Sequence, residues 1–206
     1  MTIPSNIILD ISTLNKNNPR EFHCKGTYQG VPIECIYIPV CNEDRSQYYH
    51  EFYMSDRLTA CRNMGVYFNM FEATLSEMNI NYKEVPSERS GLFLIRQHYP
   101  NGCLRDYVLK NRVNGIDTES MHAIQAGINL FSMLADAHAL NMFLVGIDTK
   151  NIFVDIDGSL RFFGFRYSFQ KGKSAEKALW SNWSDIRCPE NAYLNQSPIQ
   201  RKPTYF

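Results

Sequence analysis

Up to about residue 97, the apolar residues of this chain alternate or gather in short β-branched runs; beyond it they recur every three to four positions. A period of two suits a pleated strand and a period of 3.6 suits a helix face. The switch therefore predicts an α+β chain, with a sheet built first and helices added after it. Glu21 to Val40 reads as a hairpin, with Gln29-Gly30 at its turn and the β-branched run Ile33–Ile38 as its second strand. Residues 45–63 predict a helix with Tyr48, Phe52, Ser55 and Leu58 on one face. Strands are expected near Val66–Ala73 and Asn79–Val85, then a turn at Pro86–Gly91 and a buried strand over Leu92–Ile95. Ahead of the hairpin stands one short apolar run, Ile7–Leu9, and a polar stretch from Asn15 to Arg20 that reads as a turn.

In the second half, Leu104, Tyr107 and Val108 have helical spacing, and Asn114-Gly115 breaks the chain. Thr118 is a suitable N-cap for a longer helix, in which Ile124, Ile128, Phe131, Leu134, Ala135 and His138 keep the helical period. Ile152–Val154 and Leu160–Phe163 form a second hairpin across Asp155–Gly158. The remainder, from Arg166 to Phe206, is polar with scattered Trp180, Trp183 and Tyr193. The chain reads as one domain over 1–206, with a β-rich part to about 97 and a helical part from about 98.

Charge excludes one class of function. The 21 basic and 21 acidic residues give a formal net charge of zero, with no long Lys/Arg run, which argues against a nucleic-acid or anionic-membrane binder. No apolar stretch approaches the roughly 18 to 20 residues of a membrane span, and the start lacks the basic region of a signal peptide. The six cysteines form no C-x-x-C pair, and the five histidines have no metal-ligand spacing; reduced, mostly buried thiols in a cytoplasmic protein are expected.

Several short motifs stand in one order. Lys25-Gly26-Thr27-Tyr28-Gln29-Gly30-Val31-Pro32-Ile33-Glu34-Cys35-Ile36 resembles the K-G-x-Y-x-x-x-P-V-A-I-K of protein kinases. Leu94–Val108, with Pro100-Asn101-Gly102, resembles a tyrosine-kinase-like hinge. Gly146-Ile147-Asp148-Thr149-Lys150-Asn151 resembles the D-x-x-x-x-N end of the catalytic loop, Phe162-Phe163-Gly164 the D-F-G, and Cys188-Pro189-Glu190 the A-P-E. The framework is most similar to the pseudokinase domain of the mixed lineage kinase domain-like family, in its truncated poxviral form. The resemblance implies a protein-kinase-like bilobal fold: an N-lobe β-sheet with its αC helix, plus a truncated helical C-lobe. Its early stop leaves a helix surface to be covered, by Trp180, Trp183 and Tyr205 or by self-association.

Under the resemblance, the parts that phosphoryl transfer needs are degenerate. Ile36 stands for the phosphate-binding Lys, Gly146 for the base Asp and Phe162 for the magnesium-binding Asp; no glycine-rich loop precedes Lys25. Glu51, Asn151, Phe163 and Gly164 are retained. Without a Lys partner, Glu51 is equally well read as a solvated helix residue. Glu34 falls where a small apolar residue touches adenine, an unfavourable place for a carboxylate. Asn151 is expected to be structural and Phe163 to pack in the core, while Phe162 would fill space vacated by metal and phosphate. Ser168, Ser174, Ser181 and Ser184 are candidate phosphate acceptors.

No enzymatic activity, cofactor or metal is expected. What the resemblance implies is a decoy that binds a host kinase domain of the receptor-interacting protein kinase family, its third member above all, and blocks necroptotic cell death in the host cytoplasm. Tyr48, Tyr49, Phe52 and Tyr53 are the candidate interface. The alternatives are a nucleotide-binding or weakly active tyrosine-kinase-like protein, or an inhibitor of another signalling kinase.

Overall fold

A computed structural model of the chain describes residues 3–18, 21–39, 42–80, 89–113 and 120–170. Five antiparallel strands form one sheet in the order β1-β2-β3-β5-β4. They are β1 (Ile7–Asn18), β2 (Glu21–Tyr28), β3 (Val31–Ile38), β4 (Tyr67–Thr74) and β5 (Ser90–Gln97). Helix α1 (Asn42–Arg57) lies between β3 and β4 in sequence. Helices α2 (Leu104–Val113) and α3 (Ser120–Ala139) follow β5. Two small antiparallel pairs complete the described structure: β6 (Met142–Phe143) with β9 (Phe169–Gln170), and β7 (Ile152–Val154) with β8 (Leu160–Phe162). A 3₁₀ turn over Phe165–Tyr167 precedes β9. The fold is mixed α+β, as the change of period predicts.

The β2–β3 hairpin has the expected turn. Gln29 and Gly30 both take positive φ (52° and 79°), the geometry of a two-residue turn matched to strand twist. Its register sets the two faces of the sheet. Ile33, Cys35 and Tyr37 face one core with Phe22, Phe71, Phe93 and Ile95, where Phe71 and Phe93 stack at 5.2 Å. Ile36 and Ile38 face the other with Met54, Leu58, Leu92 and Leu94. The β5 run Leu92-Phe93-Leu94-Ile95 is buried throughout because both faces of that strand are covered. The second core continues without a break into Met133, Ala137, Ile152, Val154 and Phe162, so the sheet is fused to the helical part through packed side chains.

The long hydroxyl-bearing side of α1 fixes where β4 begins. The Ser55 Oγ donates to the Gly65 carbonyl and accepts from the Tyr67 N–H, each at 3.2 Å. Gly65 itself must be glycine, since a Cβ there would overlap the Phe163 ring.

Four expectations are corrected. The polar stretch from Asn15 is not a turn: β1 runs on to Asn18, with irregular register against β2 between Asp10 and Asn15. The first helix is Asn42–Arg57, ending in a turn about Leu58 rather than at 63. Asn79 is in a turn, and the rest of the strand expected near Asn79–Val85 lies outside the described residues. In α3, Ile124, Ile128, Phe131, Ala135 and His138 are exposed; the buried side is carried by Met133 and Ala137, with Ala126, Leu130 and Leu134 packed beside them. Helix α3 is apolar on both sides, and period alone does not say which side the sheet takes. Thr118, its expected cap, and the Cys188-Pro189-Glu190 motif lie outside the described residues. Cys24, Cys35 and Cys61 are free and buried, and Cys103 is free and partly exposed. Among the described residues, no helix is long and apolar enough to cross a membrane.

Phe93→Ala empties a fully buried position of the sheet and is expected to destabilise the protein by about 3–5 kcal/mol. Ile156→Ala, 82% exposed at a hairpin turn, should stay within about 0.5 kcal/mol. Urea unfolding of the two variants beside the parent checks both.

Candidate functional site

A cleft of about 570 Å³ opens between the sheet, α1 and the β7–β8 hairpin. Residues brought together from distant parts of the sequence line it. Glu34 and Ile36 come from β3, Arg96 from β5, Glu51 from α1, and Gly146, Asn151 and Phe163 from the segments around the hairpin. Alternation along β3 puts Glu34 and Ile36 on the cleft side and Cys35 behind them.

The floor of the cleft is ionic. The Arg96 guanidinium donates from Nε and Nη2 to Glu34 Oε2 at 2.8 and 2.6 Å. His23 Nδ1 stands 2.8 Å from the other oxygen, Oε1; a carboxylate only accepts, so that nitrogen carries the proton. Arg96 is 4% exposed, and its charge also lies over the rings of Phe153 and Phe163, 4.0 and 4.7 Å from their centroids. The carboxylate that looked misplaced in an apolar pocket is thus neutralised on both oxygens.

A second ionic group closes the inner end. Arg166 Nε donates to Glu51 Oε2 and its Nη2 to Glu21 Oε1, both at 2.5 Å. Tyr67 donates to Glu51 Oε1 at 2.7 Å and Tyr48 donates to Glu21 Oε1 at 2.9 Å. The Arg166 guanidinium lies 4.1 Å from the Tyr48 ring centroid. Glu51 is only 2% exposed, which corrects its reading as a solvated helix residue. It has a cationic partner after all, supplied from 115 residues further along the chain.

Burial works against the charge of these carboxyls, yet both Glu34 and Glu21 lie well below the usual carboxylate range. At Glu34 the Arg96 charge and the His23 hydrogen bond overcome the burial cost. At Glu21 the nearby His23 imidazole, 3.8 Å away, and the Arg166 charge do so. Burial lowers the His23 value, and the carboxylates of Glu21, 3.8 Å away, and Glu34, hydrogen-bonded to the ring, outweigh it, so the imidazole is raised above 6.5. Burial raises the hydroxyls of Tyr48 and Tyr67 far above the usual tyrosine range.

The loop positions are held by backbone hydrogen bonds. Asn151 Nδ2 faces the Gly146 carbonyl at 3.4 Å, and the Asn151 carbonyl accepts from the Phe163 N–H at 2.8 Å. Gly146 and Gly164 both take positive φ, and a Cβ at Gly164 would press on the Asn151 amide. Asn151 thus links the Gly146 and Phe163 segments while lining the cleft. Phe163 is buried among Tyr67, Tyr99 and Phe153, with centroids 5.3–5.8 Å away, and it forms part of the cleft wall.

Phe162 does something other than expected. It is 1% exposed, pairs its backbone with Asn63 and Gly65, and sets its ring edge-on to Phe165 at 5.3 Å. It belongs to the core behind the cleft and is not among the residues that line it. Alternation in β8 explains this: Leu160 and Phe162 share the buried face. Of the candidate interface, Tyr48 is 3% exposed and committed to Glu21 and Arg166, so it is removed from that surface. Tyr49 and Phe52 are half-buried against the core, with the Tyr49 hydroxyl on Glu72, while Tyr53 is exposed beside Arg57. Ser168 is also removed as a phosphate acceptor: it is 1% exposed and its Oγ accepts from the Val145 N–H. Ser174, Ser181 and Ser184 lie outside the described residues. Among the described residues, no three His, Cys, Asp or Glu side chains are grouped to hold a metal ion.

Glu34→Ala leaves the Arg96 cation without its carboxylate and is expected to cost about 3 kcal/mol. Glu34→Leu combined with Arg96→Met should recover most of that loss, because an apolar pair of similar size replaces the whole ion pair. Chemical denaturation of the two variants tests this; equal losses would contradict it. Acidity has a signed effect. The depressed carboxyls of Glu21 and Glu34 give stability that is complete above their ordinary value of 4.5 and lost as pH falls through their lower folded values. The raised His23 gives stability that is complete below 6.5 and lost as pH climbs through its folded value. Stability should therefore peak between roughly pH 4.5 and 6.5, and His23→Gln should flatten the decline on the alkaline side when unfolding midpoints are compared across pH.

No protein-family model matches the chain, and no curated protein matches it significantly. The residues and geometry of the cleft carry its interpretation alone.

Proposed function

We propose that this chain is a catalytically inactive, protein-kinase-like decoy that binds a host kinase domain of the receptor-interacting family and blocks necroptotic signalling. The observation that carries the inactive half is the partner of Glu51. In a working kinase the equivalent carboxylate holds a lysine that grips nucleotide phosphates. Here Glu51 is held by Arg166, which is itself bound to Glu21, so the cation is spent on two carboxylates. Ile36 occupies the lysine position without a charge, and Gly146 has no side chain with which to accept a proton. Glu34 is joined to Arg96, so the cation at the cleft floor is already committed to a carboxylate rather than open to phosphates, and the charged pair lowers the apolar character that a purine ring needs.

The bilobal kinase-like arrangement belongs to the same proposal. It is supported by the order of the elements: a five-stranded sheet with α1 between β3 and β4, then α2 and α3, then the β7–β8 hairpin ending at Phe163-Gly164. The partner comes from the motif resemblance. With Tyr48 removed, the docking face on α1 centres on Tyr53, which is 46% exposed and accepts a hydrogen bond from the Arg57 guanidinium at its hydroxyl, 3.0 Å away, flanked by Tyr49 and Phe52. A rigid aromatic residue beside an arginine is the composition that interface hot spots favour.

ATP with magnesium is expected to leave the melting temperature unchanged; a clear rise would overturn the inactive reading. Purified protein should co-precipitate the kinase domain of the third receptor-interacting kinase, and Tyr53→Ala should weaken that capture at least tenfold, a loss of about 1.4 kcal/mol or more. Failure to capture the kinase, together with unaltered death of cells given a necroptotic stimulus, would end the proposal.

A further inference from the structure

One imidazole stands between the two ionic groups of the cleft. His23 lies on β2 with Glu34 on one side and Glu21 on the other, and its side chain is 9% exposed. Its Nδ1 is 2.8 Å from Glu34 Oε1, and its Nε2 is 3.8 Å from Glu21 Oε2. Glu34 only accepts, so the Nδ1 proton stays in either charge state, and the proton that comes and goes is the one on Nε2. Nε2 is enclosed and has no hydrogen-bond partner among the described residues. Its proton therefore acts on Glu21 through charge alone.

The charges around this imidazole balance only while it is protonated. Glu34 comes from β3, Arg96 from β5, Arg166 from the 3₁₀ turn and Glu51 from α1; β2 itself adds Glu21 and the exposed Lys25, and β1 brings the uncharged Asn15. The buried carboxylates Glu21, Glu34 and Glu51 meet the arginines Arg96 and Arg166, so His23 supplies the cation that completes the balance. Without the Nε2 proton, a lone pair and a carboxylate face each other at 3.8 Å, with Nε2 closed off from solvent. The groups differ in how firmly they are held. Glu34 takes two bonds from Arg96, and its strand is paired on both sides. His23 is paired with Asn15 on β1 and Ile36 on β3. Glu21 is the first residue of β2: the ladder to β3 begins only at Phe22, and its β1 partner, Asn18, follows a register shift. Glu21 is thus the member that yields, and its Oε1 is what Tyr48 of α1 and Arg166 of the turn both donate to.

We propose that His23 is a proton-operated catch on the inner end of the cleft. With the Nε2 proton in place it holds Glu21 within reach of Arg166 and Tyr48. Without that proton Glu21 swings away, and α1 and the Phe165–Tyr167 turn part together from the start of β2. Those two elements stay joined to each other, since Arg166 keeps Glu51 and His50 keeps the Ser168 carbonyl. What opens is the end of the cleft lined by Glu21, Glu51, Arg166 and Tyr167. The sign follows from the raised imidazole: the catch is shut below 6.5 and opens as pH climbs through the folded value. Burial displaces His98 the opposite way, below 6.5, so the two titrations are separable. The catch stands whether or not the chain binds a kinase.

Hydrogen exchange of the full chain tests this, followed by mass spectrometry from about pH 6 to about pH 9 and corrected for the intrinsic pH dependence of amide exchange. Peptides over the start of β2, α1 and residues 165–168 are expected to exchange several-fold faster at the alkaline end, and by a larger factor than Leu92–Ile95 of β5. His23→Gln keeps a donor for Glu34 but cannot titrate, and should hold these rates level. Glu21→Gln keeps an acceptor for Tyr48 and removes the charge that faces Nε2. It should also level the rates, and should move the titration of the His23 imidazole signal in NMR to lower pH. Should His23→Gln lose its fold by circular dichroism, Glu21→Gln gives the same reading. Rates indifferent to pH in the parent, acceleration shared equally by β5, a midpoint below 6.5, or acceleration kept in Glu21→Gln overturns the proposal.

Discussion

The described structure hangs on an arginine whose charge is divided between two carboxylates. Arg166 joins Glu21 at the start of β2 to Glu51 in the middle of α1. Helix α1 is weakly amphipathic in sequence, rich in Tyr, Glu and Arg, and its apolar contribution to the core comes chiefly from Met54 with the Leu58 that follows it. Packing alone gives it a modest hold. The Glu51 carboxylate, saturated by Arg166 and Tyr67, locates the helix against β4, and His50 adds a contact of 2.6 Å to the Ser168 carbonyl on the same strap. Removing either sign would leave the other buried without compensation, and that cost, more than the worth of the pair, keeps the elements together.

The Glu34–Arg96 pair does the equivalent work at the other side of the cleft. It couples β3 to β5 at the end where the sheet meets Phe153 and Phe163, so the guanidinium has an ionic partner on one side and two aromatic faces on the other. Together the two arginines satisfy the buried carboxylates Glu21, Glu34 and Glu51 that line the cleft. A ligand bringing phosphates would have to displace these contacts rather than complete them.

Much of the fold was legible in the sequence because its signals are local. Gln29-Gly30 between apolar runs specifies the β2–β3 hairpin, the unbroken run at Leu92–Ile95 specifies a strand covered on both faces, and Asp155–Gly158 specifies the β7–β8 turn. What escaped is what depends on distant partners. The extension of β1 through Asn15 has no strand-like composition and follows from pairing with His23 and Phe22. The orientation of α3 follows from which of two apolar sides packs on β6 and β8, distant in sequence from much of the helix. In the cleft, Ile36 and Gly146 were visible from the motif resemblance, but the cations that occupy it were not: Arg96 and Arg166 lie 62 and 115 residues from their carboxylates. A Glu at position 34 gave the one usable hint, since a carboxylate expected in an apolar pocket demands a cation nearby.

Where the cation comes from has a consequence for how such a cleft moves. A lysine on β3 would tie α1 to the sheet and leave the segment after Gly164 to act independently. An arginine in the 3₁₀ turn after Gly164 ties α1, β2 and that segment into a single body instead. Its planar fork reaches two carboxylates at once, which a lysine ammonium on a flexible stem does less well. Ligand-driven motion of α1 relative to the Phe165–Tyr167 turn would need both carboxylates to be uncovered together, a cost of several kcal/mol. The outer face of α1, with Tyr53 and Arg57, is consequently presented in one fixed position, and a surface already in its bound geometry loses less on association than one that must be ordered first. Rigidity of this kind suits the proposed role, in which the outer face of α1 is recognised by a partner.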